Sequence, residues 1–241
     1  MKGAFAHLLV AAAGAADWTP PATPVLWLCA AKSGAVAKEG TWEDQSGNND
    51  ATLVGDAVVS TFLDLDGSGD RADLGTGLMD GWTEATVCLW ARCASLASDG
   101  GIFSHSTGGN TGFLIMRDDS YSGDADLFRV FVGDPDGNRI SVECDEDSAG
   151  ADWVWICATF DGAGDGLRVY LDNVEVTNSP QAPGTVTEIS DVPGNSNDVG
   201  YDDWNFGYFN GDVDDVLVYN RVLTSDERAN IYNNSPGSKQ S

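Results

Sequence analysis

The residues best suited to chemistry in this chain are carboxylates at short spacing. Asp64, Asp66, Ser68 and Asp70 follow a D-x-D-x-S-G-D pattern. Such a pattern can surround a hard cation with oxygens, so Asp64, Asp66 and Asp70 are candidate calcium ligands. The helix-flanked form of a calcium loop does not fit, because its twelfth position is Gly75 and no helices flank it. The same carboxylates can instead bond the amides of a tight turn. Asp118 and Asp119 with Asp124 and Asp126, and the pair Asp202-Asp203, are further acid clusters in expected loops.

A second chemistry is sugar recognition, which pairs aromatic faces with Asp and Asn hydrogen bonds. The run Tyr201-Asp202-Asp203-Trp204-Asn205-Phe206-Gly207-Tyr208-Phe209 holds both at one expected rim. Tyr201, Asp202, Asp203 and Trp204 are therefore the candidate ligand-binding residues. The blander alternative packs Phe206 and Tyr208 under a loop and leaves Trp204 half exposed. Nucleophilic catalysis has little to draw on. The histidines are His7 and His105, no G-x-S-x-G elbow accompanies them, and His105 reads as a surface loop residue.

The background is strongly acidic, with 38 Asp and Glu against 12 Lys and Arg and a net charge of −26. Of those acids 30 are Asp and 8 are Glu, and Asp suits turns far better than strands or helices. An acidic coat keeps a chain soluble and repels phosphate backbones, which argues against a nucleic-acid partner. The five cysteines, Cys29, Cys88, Cys93, Cys144 and Cys157, are odd in number and none forms a C-x-x-C pair. Neither a zinc site nor a full disulfide framework follows. Cys88 and Cys157 lie in apolar runs and read as small buried hydrophobes.

The elements that must position these groups are short and closely punctuated. Val25 to Cys29, Ala51 to Val54, Phe62 to Leu65, Thr86 to Ala91, Gly112 to Arg117, Trp153 to Phe160 and Val213 to Tyr219 read as strands. Leu127 to Val132 and Arg139 to Cys144 are joined by the hairpin signal Asp136-Gly137-Asn138. About a dozen such segments predict an all-β, two-sheet sandwich or jelly roll. Residues 1–24 read as an N-terminal arm, 25–233 as the sandwich and 234–241 as a tail. Within the arm, residues 1–16 suit either a short signal peptide cleaved before Asp17 or an assembly arm, and their apolar stretch is too short to span a bilayer.

Four ordered blocks resemble the laminin-G-like domains of the concanavalin A-like lectin/glucanase superfamily. Leu63-Asp64-Leu65-Asp66-Gly67-Ser68-Gly69-Asp70-Arg71-Ala72-Asp73-Leu74 is similar to that family's F-D-G-S-G-D-Y-V-D-L hairpin. Trp153 to Gly162 resembles W-H-H-V-A-V-T-F-D-G, and Val169 to Asn173 resembles V-Y-L-D-G. Asn210 to Leu223 is close to N-G-x-I-D-D-V-R-I-Y-N-R-A-L, and Thr224 to Arg228 then resembles a capped terminal helix with Thr224 or Ser225 as cap. Trp27 with Trp42 to Asn48 looks like the opening of such domains in bacteriophage and bacterial surface proteins. The resemblance implies a concanavalin A-like two-sheet sandwich, and it adds Asp214 to the candidate structural calcium ligands.

The same fold hosts glucan hydrolases that carry E-x-D-x-x-E on one strand face, since retaining hydrolysis needs two close carboxylates. Here the nearest match, Glu143-Cys144-Asp145-Glu146-Asp147-Ser148, ends on Ser148 and lacks the second Glu. The first expectation is therefore a non-enzymatic structural or interaction protein of a bacteriophage virion, such as a capsid decoration, fibre or tail component. Its expected partners are other virion or surface proteins and further copies of itself. The alternative is a secreted or cell-surface, calcium-dependent carbohydrate-binding module of bacterial origin. A degenerate or divergent glucan hydrolase is the third.

Overall fold

The computed structural model describes residues 18–32, 40–47, 49–94, 99–108, 111–118, 127–144, 149–177, 185–194, 197–203 and 206–239. In chain order the strands are β1 Leu26–Leu28, β2 Thr41–Trp42, β3 Ala51–Val54, β4 Val58–Val59, β5 Leu63–Asp66 and β6 Arg71–Asp73. Then come β7 Glu84–Cys93, β8 Gly100–His105, β9 Gly112–Asp118, β10 Leu127–Gly133, β11 Arg139–Glu143 and β12 Val154–Asp161. The last are β13 Gly166–Leu171, β14 Val174–Glu175, β15 Asp198–Val199, β16 Tyr201–Asp202, β17 Gly207–Tyr208 and β18 Asn210–Tyr219. Helix α1 Ser225–Asn234 and a 3-10 turn, Pro236–Lys239, close the chain.

The strands form the expected two-sheet sandwich. One sheet runs β14-β13-β12-β7-β18-β5-β4, with β1 also on β18. The other runs β11-β10-β9-β8-β15-β6-β3-β2, and β17 joins it through a parallel contact with β8. Alternation decides which side chains meet in the middle. In β11, Ile140 and Val142 are buried while Arg139, Ser141 and Glu143 face outward. In β5, Leu63 and Leu65 point into the same core and Asp64 and Asp66 point out.

Strands β9 and β10 are buried along their whole length, because their outer face is covered as well. Leu114, Met116 and Phe131 form a small cluster there, with Phe206 packed on it. The other sheet has a thicker cover. Trp27, Cys29, Cys88, Trp90, Trp155 and Cys157 belong to an outer apolar cluster, completed by Ile231 and Tyr232 of α1 and by Trp18. The lead-in is thus packed on the sandwich: the Trp18 ring meets Trp27 edge-on at 5.7 Å, and its Nε1 donates to Asn230. Residues 235–237 also belong to the folded unit. Trp90 Nε1 donates to Ser235 Oγ at 3.0 Å, and Ser235, Pro236 and Gly237 are buried.

Local signals account for the ends of these elements. Thr224 caps α1 and forms a full capping box with Glu227. Asp134 holds the β10–β11 turn by accepting from the Asn138 backbone N–H at 2.8 Å and from its side-chain amide at 2.9 Å. Among the described residues no helix is long and apolar enough to cross a membrane.

Candidate functional site

The strongest cluster of binding groups lies where β6, β15, β16 and β17 meet on the outer side of the second sheet. Its backbone route depends on close approach at β8. A Cβ at Gly101 would run into the backbone of Tyr201 and Asp202, and one at Gly100 into that of Tyr208 and Phe209. Two adjacent glycines therefore let the 200–209 segment lie across the strand. Tyr201 and Tyr208 are opposed in the β16–β17 pair, and their rings sit 4.5 Å apart, inclined by 31°. Both side chains are half-buried.

Charged groups surround these rings. The Arg71 guanidinium lies 5.5 Å from the Tyr201 ring centroid, and Arg71 Nε is 3.1 Å from Asp198 Oδ1. Tyr201 donates its hydroxyl to Asp203 Oδ1 at 2.7 Å. That bond, helped by burial, pushes the Tyr201 phenol up to about 12. Burial pushes the Asp198 carboxyl up to about 7; Arg71 opposes the shift, and Asp73 and Asp203 add to it. The site thus combines two close aromatic rings, one cation, and an acid that changes charge near neutral pH.

Of the expected ligand-binding residues, Tyr201 and Asp203 are in this cluster. Asp202 faces the other way: it is buried and accepts from Ser104 Oγ at 3.1 Å. Trp204 lies outside the described residues. Phe206 packs against Phe131 of β10, ring centroids 6.5 Å apart. Sequence reasoning missed Arg71 and Asp198. A signal for Arg71 was present, since it stands at the Tyr of the D-G-S-G-D-Y-V-D-L pattern; Asp198 had none.

The candidate calcium ligands separate into two places. Asp66 and Asp70 come together with Asp56, with one carboxylate oxygen from each lying within 4.8 Å of the others. Asp70 is buried and accepts from the Asp56 backbone N–H at 2.8 Å and, more weakly, from that of Asp66 at 3.4 Å. Burial pushes its carboxyl up while these amides pull it down. Asp66 accepts from the Ser68 amide at 2.7 Å. Asp64 is not in the group; it sits beside Asp212 across the β5–β18 pair.

Asp214 belongs to a different cluster, with Cys29 and Asp215, at a bulge of β18. Asp214 Oδ1 accepts from the backbone N–H groups of Ala30 and Asp215 at 3.0 and 2.8 Å. Asp215 has φ 47°, an unusual conformation for a non-glycine residue, and Gly237 N–H donates to its Oδ2 at 2.5 Å. Burial raises the Asp215 carboxyl, and burial, with the neighbouring Asp215 and Asp214, raises the Cys29 thiol.

His105 corrects an expectation. It ends β8 fully buried instead of lying in a surface loop. Its Nδ1 meets Asn197 Oδ1, and its Nε2 is 3.2 Å from the Ser190 carbonyl. Burial lowers its pKa, while Asn197, Asp80 and the Ser190 carbonyl oppose the shift, so it is a buried core histidine held by acceptors. The incomplete hydrolase pattern begins at Glu143, which pairs with Arg129 at 3.3 Å; Asp145 to Ser148 lie outside the described residues. Asp118 pairs with the same buried Arg129 at 3.0 Å. Asp119, Asp124 and Asp126 lie outside the described residues.

Similarity to known proteins agrees with this architecture. Residues 66–227 match the laminin-G family model described as the concanavalin A-like lectin/glucanases superfamily. No curated protein sequence matches the chain. Among solved structures, the receptor-binding domain of botulinum neurotoxin C/D mosaic serotype aligns with TM-score 0.64 at 16% identity, over 87% of this chain and 51% of that one. The binding domain of serotype D gives 0.63 at 13% identity, over 87% and 51%. The binding domain of botulinum neurotoxin DC in complex with SialylT gives 0.57 at 14% identity, over 88% and 51%. This chain therefore spans about half the length of each, and likeness at such identity is a likeness of fold. With its two antiparallel sheets and a family match over well more than half its length, the chain belongs to the laminin-G-like family of the concanavalin A-like lectin/glucanase superfamily.

Proposed function

We propose that this chain is a non-enzymatic carbohydrate-binding domain whose sugar platform is the Tyr201–Tyr208 pair. The carrying observation is that two half-buried tyrosine rings, 4.5 Å apart, sit beside Arg71, Asp198 and Asp203. A sugar ring stacks its C–H face on an aromatic ring while its hydroxyls bond neighbouring carboxylates and a guanidinium. The use of this fold as a receptor-binding domain in the neurotoxins supports a binding role. A glycan array probed with the full chain tests the reading. Binding to a defined glycan class that Tyr208→Ala weakens about tenfold or more supports it, and an array blank with and without calcium rejects it.

A calcium ion is part of the proposal, held by Asp66 and Asp70 around the β5–β6 turn and by Asp56 of the β3–β4 turn, where three carboxylates converge. Calorimetric titration and the Tm with and without chelator test that ion. No heat and no shift remove it from the proposal.

Placement in a bacteriophage virion is a second reading, favoured by the opening strands. There Asp44 accepts from the backbone N–H of Trp27 at 2.9 Å and of Ser46 at 2.8 Å, tying together the segments whose sequence resembles the opening of such domains in bacteriophage and bacterial surface proteins. Mass spectrometry of purified particles and culture medium separates the locations. A chain starting at Met1 in particles supports the virion, and one starting near Asp17 in the medium supports secretion.

A further inference from the structure

We infer that Cys88 and Cys157 form a disulfide bond when the protein folds in an oxidising medium. The register places them directly opposite each other at the centre of the β7–β12 pair. Their sulfurs stand 2.9 Å apart, closer than two unbonded sulfurs ordinarily sit. Directly opposed residues of antiparallel strands have Cα atoms about 4.5–5.5 Å apart, within the range of about 4.4–6.8 Å that disulfides span. The bond therefore needs only a local adjustment of the two side chains.

The surroundings favour a stable bond over a reactive thiol. Both residues are fully buried in the outer apolar cluster of the first sheet, with Tyr170 and Tyr219 in the same cluster. Burial, with the neighbouring Cys157, pushes the Cys88 thiol well above the ordinary thiol range. Because exchange needs an accessible thiolate and both residues are closed to solvent, oxidation belongs to folding or to local opening. Of the other three cysteines, Cys29 shares the outer cluster but lies beside Asp214 and Asp215, and Cys93 and Cys144 lie in the central core.

The chemistry balances with oxidised glutathione. The two S–H bonds of Cys88 and Cys157 break and one S–S bond forms. The two electrons and two protons released reduce one glutathione disulfide to two thiols.

Refolding the full chain in a buffer of oxidised and reduced glutathione, followed by denaturation and alkylation with excess iodoacetamide, reads the outcome by mass. Of the five cysteines, five less two, that is three, take up label, and the protein is lighter by two hydrogens before labelling. Reduction with dithiothreitol restores all five. Peptide mapping finds one linkage, and fragment-ion sequencing assigns it to Cys157 and not to Cys144, which shares its tryptic peptide. Five labelled thiols after refolding in glutathione overturn the inference, as does a bond joining any other pair. Refolding removes burial as an explanation for a negative result.

Discussion

Arg71 and Asp198 reach each other across the β6–β15 pair, Nε to Oδ1 at 3.1 Å, although 127 residues of sequence separate them (198 − 71). The Asp198 carboxyl is still pushed up to about 7, so burial outweighs the guanidinium. A carboxyl raised in the folded state holds its proton there longer than in the unfolded chain. Its contribution to stability is therefore greatest below the unfolded value of about 3.9 and falls as pH rises towards 7, where the loss is complete. Asp198→Asn removes this slope. Urea melts from pH 4 to pH 8 are expected to show the wild type losing stability relative to the variant by up to about 4 kcal/mol, and then running parallel. A difference that stays flat across the window counts against the assignment.

The same pair predicts a pH dependence for ligand binding. Below pH 7 the Asp198 carboxyl is neutral and frees Arg71 to bond an acceptor on the sugar; above it, the ion pair competes. Affinity for a glycan selected on the array is expected to weaken as pH rises through 7, and that dependence is expected to vanish in Asp198→Asn. Isothermal titration at three pH values is sufficient to read it.

Within the platform, ring and hydroxyl are separable. Tyr208→Ala removes a stacking ring and is expected to cost about tenfold or more in Kd, on the order of 1.4 kcal/mol. Tyr201→Phe keeps the ring but loses the bond to Asp203. It is expected to cost less and to leave the sugar preference intact. Equal losses from both variants would mean that the hydroxyl, not the stacked face, carries recognition.

The terminal helix supplies a stability test away from the site. Thr224→Ala removes the cap and is expected to cost about 1 kcal/mol in urea melts. Arg221, with Thr224, holds the Glu227 carboxyl at about 2. A lowered carboxyl stabilises the fold above its unfolded value of about 4.3, and that gain is lost as pH falls towards 2. The pair is partly exposed, so Glu227→Gln is expected to cost only about 1 kcal/mol at pH 7, with the difference shrinking on acidification.

Much of the fold was readable because its signals are local. The Asp136-Gly137-Asn138 turn, the Thr224 cap and the alternation of β5 and β11 each sit within a few residues. The platform was only half readable for the opposite reason. Tyr201 and Asp203 lie in one aromatic, acidic run with Asp198 just before it, whereas Arg71 joins it only through the pairing of β6 with β15. His105 was misplaced because its partners, Asn197 and Ser190, come from another part of the chain. Asp214 shows the limit of an acid-counting argument. A carboxylate that satisfies two buried amides is indistinguishable in sequence from one that waits for a cation.

That buried role of Asp214 gives the sharpest stability prediction. Its Oδ1 accepts from Ala30 and Asp215, and Asp214 is fully buried. Asp214→Ala leaves two donors without this acceptor in a region closed to water, at about 1–3 kcal/mol for each unsatisfied group. The substitution also loosens the bulge that keeps Asp215 under Gly237 and so holds the final turn of the chain. A loss of about 2–5 kcal/mol in urea melts is expected, together with faster amide exchange at Ala30 and Gly237. Asp214→Asn keeps an acceptor oxygen and is expected to recover most of the loss in the absence of metal. If the asparagine variant is as unstable as the alanine variant, the negative charge of Asp214 matters beyond its hydrogen bonds. If the deficit of the asparagine variant appears only when calcium is present for the wild type, that charge binds a cation.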